Sequence, residues 1–271
     1  MNDCRPTNSP DVSHENRPTR ARGNGCFLRR LPGIIIVLIC FVPYQRSPAG
    51  PPFKTDDPEP VDFRHWEFYV ASEQVFSGGE TDATCPHFEV NYGVVRNVQL
   101  HLVAPLGYVH TPEGTHYGYA DTELGVKYRF VEETESVPQI GVFPLVEVPT
   151  GNQGKQLGAG AAQVYLPAWF QKSWGSLTTY AGAGFWYNPT SGGKNWVFAG
   201  WEAQYDFSRS LTLGGELYYQ TPDAVDAVST AGFNLGGFLN LDEHNHILLS
   251  FGSSLNGPSS LSGYIGYQLT I

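Results

Sequence analysis

The sequence predicts an all-β fold: a closed antiparallel up-and-down transmembrane β-barrel of about twelve strands. Three observations carry that prediction. The 271-residue chain is rich in aromatics (14%) and glycine (31 residues) yet only 15% charged, against roughly 25% for a soluble domain. Apolar and polar residues alternate with period two in one segment after another, each about ten residues long. The connections between segments take turns at being short and long, which sorts them onto two opposite rims. No apolar run reaches the roughly 18 residues of a membrane helix, so a bilayer would be crossed by strands.

The first fifty residues stand apart. They hold Arg5, Arg17, Arg20, Arg22, Arg29, Arg30 and Arg46 against Asp3, Asp11 and Glu15. The apolar run Leu31–Tyr44 and the small residues Ala49 and Gly50 come next. A basic stretch, a short apolar core and small residues read as a secretory signal, removed in the mature protein. Of the 16 basic and 26 acidic residues, removal of 7 and 3 leaves 9 and 23, a net charge near −14. Nucleic acid is excluded as a partner, since it requires a basic footprint. Of the four cysteines only Cys85 remains, which excludes a disulfide framework or a cysteine metal cluster. Residues 51–65 are expected as a periplasmic lead-in and residues 66–271 as the barrel.

Strands are expected at 66–76, 87–95, 98–109, 119–131, 138–149, 161–171, 176–188, 195–207, 210–220, 230–241, 246–254 and 262–271. Tight turns fall at 96–97, 132–137, 172–175, 208–209 and 242–245. Longer connections fall at 77–86, 110–118, 150–160, 189–194, 221–229 and 255–261. Both chain ends then share the short-turn, periplasmic rim. A Greek-key sandwich has no reason to alternate so regularly.

Strand parity assigns the faces. In 119–131, Thr122, Leu124, Val126, Tyr128 and Phe130 point one way; Asp121, Glu123, Gly125, Lys127 and Arg129 point the other. A membrane barrel turns the polar set inward. The expected lumen-lining acids are Glu67, Glu73, Glu89, Asp121, Glu123, Glu147, Glu202 and Glu216, with Lys127 and Arg129. Tyr69, Tyr165, Trp169, Trp186 and Tyr218, with Gln99, His101, Gln163 and Gln204, complete a lining able to stack on and hydrogen-bond a neutral aromatic solute. The acidic excess disfavours anions. Trp66, Tyr108, Tyr128, Trp186, Trp196 and Tyr219 lie near strand ends, as interfacial girdles do. The last strand, SGYIGYQLTI, runs to the final residue. It resembles the C-terminal signal that barrel-insertion machinery recognises, with Ile271 in place of the usual terminal aromatic.

Two stretches, GPPFKTDDPEPVDFRHWEFYVAS (50–72) and EVPTGNQGKQLGAG (147–160), resemble the outer-membrane barrels named for the MetA pathway of phenol degradation. The Pro149-Thr150-Gly151 turn followed by Gly158 and Gly160 matches a loop of that family, and Thr55–Pro60 is similar to its N-terminus. The resemblance spans about residues 50 to 271. It implies an outer-membrane location and movement of small, often aromatic compounds, and supplies no catalytic residues.

Other clusters read mainly as structure. Asp56, Asp57 and Glu59 suit a small luminal plug, a divalent-cation site or, the favoured reading, a solvated lead-in stiffened by prolines. His244 and His246 share a strand face, as a metal pair would, yet sit in a polar turn; Glu132, Glu133 and Glu135 form another. No nucleophile elbow, phosphate loop or HExxH sequence is present, so neither catalysis nor a cofactor or metal is expected. The sequence thus points to passive transport of small, hydrophobic or aromatic solutes across the outer membrane of a Gram-negative-type bacterium. Its expected partners are membrane lipid, the insertion machinery and the solute. The alternatives are a non-conducting structural or adhesive barrel and a soluble ligand-binding barrel.

Overall fold

The computed structural model describes residues 51–271; the expected secretory signal lies outside the described residues. The strands are β1 (Trp66–Ser77), β2 (Glu80–Val95), β3 (Val98–Thr111), β4 (Gly114–Tyr119), β5 (Thr122–Val131), β6 (Gln139–Val142), β7 (Leu145–Val148), β8 (Gln163–Trp174), β9 (Leu177–Tyr187), β10 (Trp196–Ser208), β11 (Leu211–Gln220), β12 (Thr230–Asn240), β13 (Asn245–Ser254) and β14 (Ser260–Thr270). One 3-10 turn, Gln153–Lys155, is the sole helical element among the described residues.

Each strand pairs antiparallel with its neighbours, and β1 closes the ring on β14, Glu67 opposite Thr270 and Ser77 opposite Ser260. Closure leaves no unpaired edge at the seam, which gives the terminal strand its role. Two walls are interrupted. β3 pairs with β4 near one rim and with β5 near the other, and β8 pairs with β7 and β6 in the same way. The β6–β7 break falls at Pro144, which has no N–H to donate; its carbonyl still accepts from Val126 N at 3.1 Å. Counting each interrupted pair once gives a closed twelve-strand barrel.

Both ends of the barrel domain meet at one rim, where Trp66 and Ile271 exchange two backbone hydrogen bonds of 2.7 and 2.9 Å. This is the terminal rim. Connections 149–162, 188–195, 221–229 and 255–259 lie on the opposite, loop rim. Two expected long loops, 77–86 and 110–118, are instead mostly strand. β1 and β2 are joined through Gly78 and Gly79 alone, both at positive φ (60° and 89°), the requirement of a tight hairpin turn with the strand twist. Turn-like residues in the upper part of these hairpins conceal their strand character in sequence.

The wall is apolar outside. Leu100, Val126, Leu166, Phe185, Trp201, Leu217, Leu235 and Ile265 are all exposed, while the residues between them face inward. Exposed Trp66, Phe130, Trp174 and Phe207 ring the terminal rim, and Tyr117, Tyr119, Tyr187 and Tyr219 ring the loop rim. Such an exterior suits hydrocarbon with aromatic belts at its two boundaries.

Glu73 keeps its inward parity: β1 pairs with β14 without a shift, Glu73 opposite the buried Tyr264. The extra residue of the β1–β2 irregularity lies in β2, whose facing it reverses. The Glu73 side chain is exposed toward the loop rim. Trp186 and Trp196 do not belong to an outer girdle: they stack on one another inside, ring centres 5.3 Å apart.

Candidate functional site: the lumen and its mouth

Residues 51–65 do not form a solvated lead-in. They turn back from the terminal rim into the lumen and pack against the wall, so the plug alternative describes them. At the entry, Phe63 bridges to Gly93 in parallel and Arg64 N donates to Gly93 O at 2.7 Å. A side chain at Gly93 would overlap the carbonyl oxygen of Asp62, so only glycine permits this approach. Further in, Val61 N donates to Gln99 Oε1 at 2.8 Å. Lys127 Nζ donates to Asp56 and Asp57 at 2.9 and 3.0 Å. Arg129 reaches Glu59 at 3.4 Å and also binds Gln139 and Asn97. Near mid-height, Lys54 N and Thr55 N donate to the two oxygens of Glu216 at 2.9 and 2.8 Å, and Ser250 Oγ donates to Pro52 O at 2.6 Å. Thr55 and Asp57 are essentially inaccessible. The carboxylates considered for a cation are thus occupied by protein ammonium, guanidinium and N–H groups.

The polar lining expected from parity is largely in place: Tyr69, Glu89, Gln99, His101, Lys127, Glu202, Gln204 and Glu216 are buried, and Glu67, Glu123 and Arg129 are partly so. Tyr69 donates to Glu67 at 3.0 Å and Asn91 to Glu89 at 2.7 Å. The His101 ring bridges Asn91 and Glu123 at 2.7 and 2.8 Å. These groups satisfy one another, as buried polar groups must. Around Glu202 satisfaction is incomplete. Gln204 donates to one of its oxygens, but Glu202 Oε2, Gln204 Oε1, Gln171 Oε1, Thr55 Oγ1 and Trp169 Nε1 have no partner among the described residues.

Toward the loop rim the lumen becomes aromatic. Phe143, Leu145, Tyr165, Trp169, Trp186, Phe198 and Tyr218 form one cluster, with Trp196 against it. Tyr165, Trp186 and Trp196 stack successively at 4.7 and 5.3 Å, because β8, β9 and β10 place them side by side in register. Above them lies a cavity of about 500 Å³ lined by Glu147, Gln163, Trp186, Asn188, Thr190–Gly193, Trp196, Asp223 and Ala224. Two loops are stitched together beside it: Lys194 N donates to Asp223 O at 2.7 Å and Val225 N to Gly192 O at 3.0 Å. Of this vestibule, parity identifies Glu147, Gln163 and Trp186. Phe198 and Trp196 are equally readable by parity from Glu202, whereas Asn188, Thr190 and Asp223 sit in loops that carry no periodic signal.

The loop singled out for its Pro149-Thr150-Gly151 turn is organised by Asp121. That carboxylate accepts from Gly151 N at 2.8 Å and Ala159 N at 2.6 Å, so Asp121 serves the loop more than the lumen. A side chain at Gly151 or Gly158 would overlap Leu157 or Asp121, and Leu157 is buried; Pro149, Thr150 and Gly160 lie at the loop surface. At the terminal rim, Asp242 accepts from His244 N and Asn245 N at 2.8 Å each, which holds its carboxyl below the usual range. His244 and His246 bond Thr270 O and Asn240 Oδ1 separately.

No protein-family model matches the chain, and no curated protein matches it. The resemblance to the MetA-pathway barrels therefore rests on residues 50–72 and 147–160 themselves. Solved structures share the fold. The COG4313 outer membrane channel from Pseudomonas putida F1 aligns with a TM-score of 0.65 and 17% identity over 79% of this chain and 98% of that one. The KdgM porin in complex with disordered oligogalacturonate aligns at 0.53 and 11% over 75% and 98%. The NanC porin aligns at 0.53 and 8% over 74% and 98%. At these identities the similarity is one of architecture.

Proposed function

We propose that this chain is a channel of a Gram-negative-type outer membrane through which small solutes, hydrophobic and aromatic ones included, move passively down their gradient. The observation that carries this reading is the continuous aromatic surface from the vestibule into the lumen, framed by Glu147 and Asp223. The lipid-facing exterior, the channel and porin neighbours and the MetA-pathway resemblance support it. Insertion through the recognised C-terminal strand belongs to the same reading. Because residues 51–65 fill the lumen near mid-height, passage requires that segment to shift. Its hydrogen bonds and ion pairs with the wall can be replaced by water, and its buried apolar contacts are limited to Phe53, Val61 and prolines such as Pro58. The filled lumen also favours a second reading, a barrel that never conducts and serves structurally or through its outer loops. Proteoliposomes separate the two. Efflux of an entrapped small aromatic alcohol faster than from protein-free vesicles supports the channel, and equal efflux rejects it.

A further inference from the structure

We infer that the vestibule at the loop rim is a binding site for organic cations that carry an aromatic body, aryl-alkyl ammonium compounds being the simplest class. This deepens the channel reading and rests on it for its physiological meaning, though not for its test. Four features point to the ligand. First, the cavity is built: β7, β8, β9 and β10 supply its floor, and the 188–195 and 221–229 loops are hydrogen-bonded to each other beside it. Its volume of about 500 Å³ lies within the range of small-molecule sites. Second, Trp186 and Trp196 both line it. Indole is the side chain that best attracts a cation to its face and stacks on an aryl ring.

Third, Asn188 and Thr190 bond each other, but the remaining polar side chains are little used. Glu147 and Gln163 stand opposite each other across β7 and β8, and neither side chain has a hydrogen-bond or ion-pair partner among the described residues. Asp223 takes only a 3.2 Å bond from Gln220, on one of its two oxygens. This contrasts with the terminal half of the lumen, where carboxylates are paired with Lys127 and Arg129. Fourth, the nearby protein cations are turned elsewhere. Lys54 Nζ lies 5.0 Å over the Tyr218 ring, and Lys194 Nζ points to Val225 O at 3.5 Å; neither pairs with Glu147 or Asp223. An ammonium group would supply the missing donors to Glu147 and Asp223, and its aryl body would lie along the indoles. A neutral analogue would keep the stacking alone; an anion would meet two carboxylates.

The test is calorimetric titration of the full folded barrel in detergent with 2-phenylethylammonium, 2-phenylethanol and phenylacetate. The ammonium should bind saturably and about tenfold or more tighter than the alcohol, the gain of a desolvated cation–π and charge-assisted contact, and phenylacetate should not bind. Glu147→Gln should bring the ammonium down to the level of the alcohol and leave the alcohol unchanged. Trp196→Ala should weaken both. Glu243→Gln, in the exposed turn at the terminal rim, is the control for a general charge effect and should change nothing. Equal affinities for ammonium and alcohol in the unaltered protein, or an undiminished preference in Glu147→Gln, would overturn the site, and the first comparison needs no variant to fold. Binding without solute efflux from vesicles would leave the site standing and remove the channel; efflux without binding would do the reverse.

Discussion

The two halves of the lumen use the same chemical materials to opposite ends. In the terminal half, acids, amides and cations neutralise one another: Lys127 holds Asp56 and Asp57, Arg129 holds Glu59, and Glu216 accepts two backbone N–H groups of the incoming segment. In the loop half, a stacked aromatic tier faces a cavity whose Glu147 and Gln163 have no protein partner among the described residues. A satisfied polar group holds structure; an unsatisfied one beside open space is available to a solute. The difference separates residues that build the barrel from those that meet what enters it.

The largest effect is expected at Lys127. Lys127→Met leaves Asp56 and Asp57 without their cation in a buried setting, a loss of about 3–5 kcal/mol in docking of the luminal segment. Limited proteolysis should then cut within residues 51–65 of the folded barrel, while ammonium binding at the vestibule persists. If the segment stays protected, the ion pairs do not hold it. A smaller and strictly local effect is expected at the loop rim. Asp121→Ala removes the acceptor for Gly151 N and Ala159 N, worth about 1–3 kcal/mol. Trypsin should then cleave after Lys155 far sooner, with the luminal segment still protected. The smallest effect belongs to Asp242, on the surface of the terminal rim. Its carboxyl titrates below the ordinary value because backbone N–H groups bond its charged form. The stabilisation it gives is therefore complete above the unfolded value near 4 and is lost as pH falls through the lower folded value. Asp242→Asn should lower thermal stability slightly at neutral pH and flatten its acid dependence, so that the two proteins converge as pH falls below the folded value.

The sequence discloses the wall better than the contents. Period-two alternation identifies the staves because lipid imposes it on every outward residue, and Glu202, Glu216, Lys127 and Tyr218 fall inward as parity requires. Parity cannot see a bulge: the extra residue in β2 turns Asp82 and Thr84 to the face that His87 and Glu89 occupy, while Glu73 keeps the facing parity assigns. Nor does it see past turn-like composition, so the β1–β2 and β3–β4 hairpins read as loops. The luminal segment is harder still. Its prolines and carboxylates look like any solvated linker, and what draws it inside is the placement of Lys127, Arg129, Gln99 and Glu216 on separate strands, a coincidence that exists only after closure. The vestibule is legible where strands build it and silent where loops do.

In the proposed channel, solutes pass through the lumen only when residues 51–65 move aside. A Cβ at Gly200 would lie 3.2 Å from Thr55 Cβ, close enough for a disulfide after slight adjustment. Single-channel current should therefore be recorded from Thr55→Cys, Gly200→Cys protein with Cys4, Cys26, Cys40 and Cys85 replaced by serine. Steady current is expected under reducing conditions, with its loss on oxidation and its return with reductant. Undiminished current through the oxidised, cross-linked barrel would contradict a moving luminal segment.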